Sequence, residues 1–375
     1  MKKINRKNFI KKSTLGIAAI SASLSACTSN ESSTSESGAP AIQTGKKYRW
    51  KMVTTWPPNY PIIGEGLETM AEWIEEMSAG RMKIKVYGGG ELVPPLESFD
   101  AVRSGTAEMG HGGAYYWAGK VPAAQFFASV PFGMNAQQMN AWLLCGGGLA
   151  LWRELYAKFN LYPIPCGNTG VQMGGWFNKE INTLSDIKGL KMRIPGFGGR
   201  VFERAGGSPV LAAGSELYTD LERGVIDATE WIGPFHDYKM GFHEIAKYYY
   251  APGWHEPGTT LELFINKPKF DALPKDLQMI IETAANRYNI WMLSEIEAQN
   301  NLFMDKLVNE EKVEIRYFPD EVLEQFRTFT KEILEEIASS DAFAQKVYES
   351  YSSFRRRAKA WSEVTEKVFY NKLQE

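Results

Sequence analysis

The sequence predicts an α/β fold of two lobes, spanned by one long helix and extended by a helical C-terminus. Three observations carry this. Strands alternate with helices from the first folding residues onward, one helix–strand unit recurs, and the run from Lys275 to Asn309 holds no Gly or Pro. Alternation of this kind builds layered α/β sheets rather than sandwiches or bundles.

Taking the elements in order, Lys51–Trp56 reads as a strand stopped by Pro57-Pro58. Gly64 to Met77 places Leu67, Met70, Ile74 and Met77 at helical spacing, and Gly80 closes that helix. Met82–Tyr87 alternates polar and apolar residues as a second strand. Pro94–Arg103 is a further helix, and Ala107–Gly110 is a third strand beyond Gly105. The unit Phe99–Glu108 has a counterpart in Tyr218–Asp227: a helix end, a glycine, then a strand with an early acid. Both run into aromatic residues, Tyr115-Tyr116-Trp117 in one and Trp231 with Phe235 in the other. Two such units point to two lobes facing one cleft.

The uninterrupted run from Lys275 would give roughly 50 Å of helix at 1.5 Å per residue, longer than a small domain is wide. It must cross both lobes or project from them. After a strand at Val313–Phe318, Pro319-Asp320 opens a second helical region that runs to the end, with an apolar stripe from Phe326 to Val368. That stripe either packs on its own chain or forms the face of a dimer.

The first 27 residues read as a targeting segment. Lys2, Lys3, Arg6, Lys7, Lys11 and Lys12 make a basic start, and the apolar stretch Leu15–Leu24 is too short for a permanent span. Leu24-Ser25-Ala26-Cys27 resembles a bacterial lipobox, in which Cys27 is lipidated and anchors the mature chain to a membrane. Arg6-Lys7 resembles a twin-arginine export signal with lysine in second place, which leaves the export route open. Residues 28–46 are rich in Ser, Thr, Gly and Ala and read as a tether. About 330 residues then remain, enough for two domains.

Without the six basic residues of that segment, 36 basic residues of the original 42 face 44 acidic ones. No basic block with interleaved aromatics remains, so nucleic acid is not an expected partner. Cys145 in a helix and Cys166 at a strand end are expected as two buried free thiols rather than a disulfide.

Catalytic signatures are sparse. The histidines His111, His236, His243 and His255 show no zinc-site spacing, and no Gly-x-Ser-x-Gly turn occurs. Gly196-Phe197-Gly198-Gly199 is an incomplete, mid-chain version of a dinucleotide loop. The informative constellation is Lys191-Met192-Arg193-Ile194-Pro195-Gly196, where a strand delivers Arg193 to its carboxyl end before Pro195 stops the ladder. Ligands of open α/β sheets bind at such strand ends, and a guanidinium presents a planar fork to a carboxylate. Arg193 could equally be a surface residue there. Glu230, in Ala228-Thr229-Glu230-Trp231, ends an apolar strand and is costly to bury unless something positive meets it. Either a salt bridge or a hard cation would serve. Gln172 and Glu256, in glycine-bracketed loops, are further oxygen donors.

Together these segments resemble the DctP family of solute receptors of TRAP (tripartite ATP-independent periplasmic) transporters, over about residues 48–320. The matching motifs are Gly174-Gly175-Trp176-Phe177, Met192–Gly199, Gly224–Pro234 and Gly253-Trp254-His255-Glu256-Pro257-Gly258. The resemblance implies a two-lobe periplasmic-binding-protein-like α/β fold with crossover strands, and a receptor rather than an enzyme. Within it, lobe I is expected at 47–170 and 259–298, lobe II at 171–258 and 299–320, and a C-terminal helical extension at 321–375.

The subgroup it resembles most binds 2-oxo and 2-hydroxy monocarboxylates. That implies Arg193 as the carboxylate anchor, with Gln172, Tyr115, Tyr116, Phe197 and Asn178 around the acid. It also implies a sodium or calcium ion held by Gln172, Glu230, the Trp231 carbonyl and Glu256. A membrane permease is the implied partner, and the C-terminal helix is the implied dimer surface. Ligand size favours the cation: an acid of about six heavy atoms is limited to about −9 kcal/mol, so sub-micromolar capture must use almost every atom. Two alternatives stand beside this reading: a receptor for a bulkier sugar or aromatic acid, and an exported hydrolase or lyase using Glu230 as base.

Overall fold

The computed structural model describes residues 45–374; the segment 1–27, its Cys27 and nearly all of the tether lie outside the described residues. In chain order the strands are β1 (Tyr48–Thr54), β2 (Met82–Tyr87), β3 (Met109–Gly112), β4 (Leu161–Asn168), β5 (Gly175–Phe177), β6 (Lys191–Arg193), β7 (Ser208–Val210), β8 (Ala228–Thr229), β9 (Tyr248–Ala251), β10 (Thr260–Asn266) and β11 (Ile315–Tyr317). They form two sheets. One has the order β2-β1-β3-β10-β4, with β10 antiparallel to both neighbours. The other runs β11-β9-β5-β8-β6-β7, parallel except where β5 meets β8 and β9. Each sheet founds one lobe, and the chain crosses between them after β4 and returns after β9.

Why the strands lie where they do is visible in their patterns. In β2, Met82 and Ile84 are buried while Lys83 and Lys85 are exposed, so one face packs on α1 (Glu65–Met77). β10 is buried at every position because it is central and covered on both faces.

The recurring helix–strand unit is reproduced in space, one copy per sheet. α2 (Ser98–Arg103) passes through Gly105 to β3. In the second lobe α3 (Gly196–Arg204) follows β6, and α4 (Leu217–Glu222) passes through Gly224 to β8. Both glycines adopt positive φ, 85° and 69°, where a side chain would be strained. β3 lies between β1 and β10, and β8 between β6 and β5. The early acids play equivalent parts. Glu108 Oε2 accepts the Lys51 N–H of β1 at 2.8 Å, and Asp227 Oδ2 accepts the Lys191 N–H of β6 at 2.9 Å.

In the second lobe, α5 (Pro234–Lys239) follows the aromatic turn after β8. α6 (Lys275–Asp305) is the long helix, 31 residues or about 46 Å, and it closes in a wider π turn at Lys306–Glu310. It packs on β4 and α1 of the first lobe and on α5 of the second, so it crosses both.

The C-terminal helical region is interrupted rather than continuous. α7 (Asp320–Ser340) ends where the Asp341 carboxylate accepts the Ala344 N–H at 2.8 Å and starts α8 (Ala342–Val364); α9 (Glu366–Lys372) follows. α7 packs on α3, while α8 packs on the Pro122–Phe127 turn and on the helices Ala136–Cys145 and Gly148–Ala157. Val322, Phe326, Ile333, Val347 and Tyr351 belong to the same buried apolar cluster as Phe126 and Trp142. The two cysteines are free, but only Cys166 is buried: Cys145, in the last turn of its helix, faces solvent, contrary to the expectation for it.

One core carboxyl is unusual. Glu262 on β10 is fully buried, and its Oε1 accepts the Trp117 Nε1–H at 2.6 Å and the Tyr156 hydroxyl at 3.0 Å. Its Oε2 has no partner among the described residues. Burial pushes its pKa up to about 8, against which the two hydrogen bonds work only in part. The folded chain therefore keeps this proton through a window in which the unfolded chain, with an ordinary carboxyl, has lost it. Stability then falls as pH rises from about 5 to about 8 and levels off above. Glu262→Gln carries no such proton. Urea denaturation across that window should show the variant gaining on wild type as pH rises, whereas a gap constant with pH would show an ordinary carboxyl.

Candidate functional site

β6 and β8 are parallel neighbours, with Arg193 in register with Thr229, so Arg193 and Glu230 emerge at the same carboxyl end. Pro195 turns the chain away immediately, and Gly196 takes φ 61° with the Tyr115 Cβ only 2.9 Å from where a side chain would begin. The loop thus lets the two lobes approach over Arg193.

Arg193 and Glu230 are each 1% exposed. The Arg193 Nη1 donates to the Glu230 carboxylate, Nε to the Ala212 carbonyl at 3.3 Å, and Nη2 to the Tyr116 hydroxyl at 3.2 Å. The guanidinium also lies 5.2 Å from the Trp231 ring centre. Burial works against its charge, but the Glu230 carboxylate and the two tyrosine hydroxyls offset this and hold its pKa above the usual value. A guanidinium has five N–H groups. Among the described residues one hydrogen of Nη2 has no taker, and the Nη1 prong is committed to Glu230. The fork expected from the sequence is therefore half engaged within the fold.

The second half of the site comes from the two crossovers, which run side by side. Thr169 N–H donates to the Thr259 carbonyl at 3.0 Å, Gln172 N–H to Glu256 at 3.2 Å, and Gly253 N–H to Gln172 at 2.9 Å. This backbone pairing brings Gln172 to Glu256 across 84 residues of chain. Gln172 Nε2 donates to Glu256 Oε2 at 2.7 Å and to Thr169 Oγ1 at 3.0 Å, and the Thr259 hydroxyl donates to the same carboxylate at 2.5 Å. Gln172 Oε1 is buried without a partner among the described residues. Burial, reinforced by the neighbouring Glu230, raises the Glu256 pKa to about 7.

Glu230, His255 and Glu256 each offer an atom within 4.8 Å of the others. His255 Nε2 stands 3.3 Å from Glu230 Oε2. Two carboxylates and an orphaned amide oxygen suit a hard cation, so the residues fit the implied ion. His255, Thr169 and Thr259 were not singled out in advance. For His255 the signal was its place beside Glu256 in the Trp254–Glu256 motif; for the threonines there was none.

Tyr115 and Tyr116 meet edge to face at 4.8 Å and close the first-lobe side. Beyond them lies a cavity of about 670 Å³ between Tyr115 and Gln125 of one lobe, Pro195 and Leu211 of the other, and Glu336 of α7. Phe197 does not line it; the ring packs edge-on against Phe126 at 5.0 Å, inside the apolar core. Asn178 is not brought to the site either. It follows β5, and its N–H donates to the Asp227 carbonyl, beside Lys191 at the opposite end of β6 from Arg193. Each of these strands is so short that a few residues decide which end a side chain serves.

Residues 52–341 match DctP, the bacterial extracellular solute-binding protein family 7. The monocarboxylate 2-oxoacid-binding periplasmic protein of Nostoc sp. is 44% identical over 358 residues, covering 96% of each chain. Two solved TRAP periplasmic solute-binding proteins are similar in structure. That of Pseudoalteromonas atlantica, with bound sodium and pyruvate, is 43% identical with a TM-score of 0.85. That of Colwellia psychrerythraea, with bound calcium and pyruvate, is 42% identical with a TM-score of 0.84. Each alignment covers 87% of this chain and 99% of the other. A family of receptors sets aside the hydrolase or lyase alternative for Glu230. With its two-sheet α/β architecture and a match over most of its length, the chain belongs to the DctP family of TRAP solute-binding receptors, and it is not an enzyme.

Proposed function

We propose that this receptor captures a small 2-oxo or 2-hydroxy monocarboxylate of the pyruvate type together with a sodium or calcium ion, and delivers it to a TRAP membrane permease. The observation that carries this is the fully buried Arg193, with an Nη2 hydrogen to spare, next to an orphaned Gln172 oxygen and two carboxylates. Arg193 would take the acid's carboxylate. Gln172, Glu230, Glu256 and the Trp231 carbonyl would hold the cation, which supplies positive charge for the acid's oxygens and for the crowded carboxylates. Tyr115 and Tyr116 wall the acid; Phe197 and Asn178 serve the fold in this assignment. The Nostoc relative's 2-oxoacid and the pyruvate of the two solved relatives support the choice of cargo. The lobes are assigned as 47–170 with 259–298 and 171–258 with 299–320.

Two finer features complete the reading. Cys27, at the end of its lipobox-like segment, would anchor the receptor to a membrane after export; metabolic labelling with a radioactive fatty acid should mark the chain, and Cys27→Ser should not be marked. The apolar residues Trp361, Val364, Phe369 and Tyr370 on α8 and α9, with Leu373 just beyond, stand exposed, which supports a dimer through this end. Sedimentation equilibrium should find a dimer that Trp361→Ser with Leu373→Ser converts to monomer; a monomeric wild type would refute it.

The cargo is tested by titration calorimetry with pyruvate, with and without sodium and calcium. Binding should be stoichiometric, should return unchanged acid, and should weaken when both ions are removed. Arg193→Lys should weaken it by about a hundredfold or more, since an ammonium cannot reproduce the planar fork inside a buried site. Wild-type affinity in that variant would end the proposal.

A further inference from the structure

The loop Pro57–Ile63, between β1 and α1 of the first lobe, takes no part in the site described above, yet it is held with unusual care. Two of its residues that are not glycine, Asn59 and Ile62, take positive φ of 55° and 61°. For a β-branched residue such as Ile62 this is a costly conformation, of a kind that concentrates at functional positions. The loop is not loose. Tyr60 accepts the N–H groups of Gly64 and Glu65 at 2.9 and 3.0 Å, which ties it to the start of α1. The Tyr288 hydroxyl of α6 donates to the Ile62 carbonyl at 3.0 Å.

What the loop presents is aimed at the other lobe. The Tyr60 hydroxyl donates to the His236 carbonyl at 3.0 Å and accepts the Trp231 Nε1–H at 2.9 Å. His236 returns the contact, its Nε2 meeting the Pro61 carbonyl at 3.1 Å. A carbonyl only accepts, so Nε2 carries the hydrogen. The Tyr60 and His236 rings stack at 5.4 Å, and Trp231 meets Tyr60 at 6.1 Å and Trp56 at 6.3 Å. Tyr60, Trp231 and His236 are all buried, at 6%, 4% and 0% exposure. Three hydrogen bonds thus join the lobes, all of them shielded from water.

We propose that Tyr60, with His236, is an interlobe latch that holds the closed receptor and positions Trp231 over Arg193. Tyr60 acts through Trp231, whose ring covers the guanidinium and whose carbonyl would help hold the cation in the proposed site. It is therefore a positioning residue rather than a ligand of the acid. Opening the lobes breaks all three bonds at once and exposes their partners to water, so the latch governs how long the closed state lasts. It has no part in first encounter, because none of its groups is available to a free acid.

Tyr60→Phe keeps the ring and removes only the hydroxyl. In the full chain, stopped-flow tryptophan fluorescence should show pyruvate released about tenfold faster, with the association rate within about twofold of wild type. His236 supplies a second arm: His236→Leu should speed release, and His236→Gln, which retains an N–H donor, should speed it less. Small-angle scattering of the acid-free variants should show a more open average shape than wild type. That readout needs no cargo, so it judges the latch even if wild type binds no 2-oxo acid, an outcome that sinks the cargo and not the latch. A melting temperature that falls while release and scattering stay at wild-type values would make Tyr60 purely structural and overturn the inference.

Discussion

The structure depends on keeping a full positive charge out of water. Arg193 is as buried as the apolar core, and the idealised cost of moving such an ion from water into a low-dielectric interior is about 20 kcal/mol, still several after relaxation. Groups from both lobes offset that cost. The second lobe supplies Glu230, the Ala212 carbonyl and the Trp231 ring, while the first supplies the Tyr116 hydroxyl. The crossovers add Glu256 and Gln172, and with them more negative charge than Arg193 alone balances. That surplus is written into Glu256, whose pKa burial and Glu230 raise together. A cluster crowded with oxygen and short of cation is suited to take one up.

The twofold repetition explains why the charge can be placed so accurately. In each sheet a central strand is preceded by an acid that accepts a backbone N–H of a parallel neighbour, Glu108 for Lys51 midway along β1 and Asp227 for Lys191 at the start of β6. Pinning two neighbouring strands together fixes their ends relative to one another. In the first lobe those ends deliver the Tyr115–Trp117 turn, and in the second they deliver Arg193 and Glu230. Behind the first turn, Glu262 holds the Trp117 indole and so steadies Tyr116 next to it. The glycines at 105 and 224 matter because the chain takes positive φ just past each helix end on its way to these strands.

Much of this was legible from the sequence, and the reasons are local ones. Met82–Tyr87 alternates because one face is wet, and the start of α6 is marked by Pro274; the structure places both where the pattern did. Arg193 at a strand tip, and Glu230 after an apolar strand, were readable because glycine and proline mark strand ends. What stayed hidden depends on distant chain. Nothing in residues 170–175 says that they run beside 252–259, so the Gln172–Glu256 bond and the part of Thr259 could not be read. Phe197 was expected on the pocket wall, but the first turn of α3 directs it against Phe126, where an apolar ring gains more from the core. Asn178 sits one residue beyond a three-residue strand, and the pairing of that strand sends it to the far end. The break at Asp341 was missed because an N-cap inside a long amphipathic stretch leaves the apolar spacing almost undisturbed.

The C-terminal helices bear on closure as well. α7 lies on α3 of the second lobe, with Arg204 paired to Glu332 and Glu336, while α8 lies against the first lobe through Tyr351, Val347 and Phe343. The hairpin therefore touches both lobes on the side of the cavity, and the Pro57–Ile63 loop joins them at Trp231 and His236. The two connections differ in kind. The hairpin is held mainly by buried apolar side chains such as Phe326, Ile333, Val347 and Tyr351. The Arg204 pairs at its rim are half-exposed, screened by solvent and worth little individually, on the order of 0–1 kcal/mol. The contacts at Tyr60 are hydrogen bonds shielded from solvent in the closed structure, where screening is weak. A receptor that must both hold its cargo and release it needs the lobes joined by contacts of graded strength. Here the weak ones border the cavity, where Glu336 is part of its wall, and the strong ones stand against Trp231, which covers the buried guanidinium.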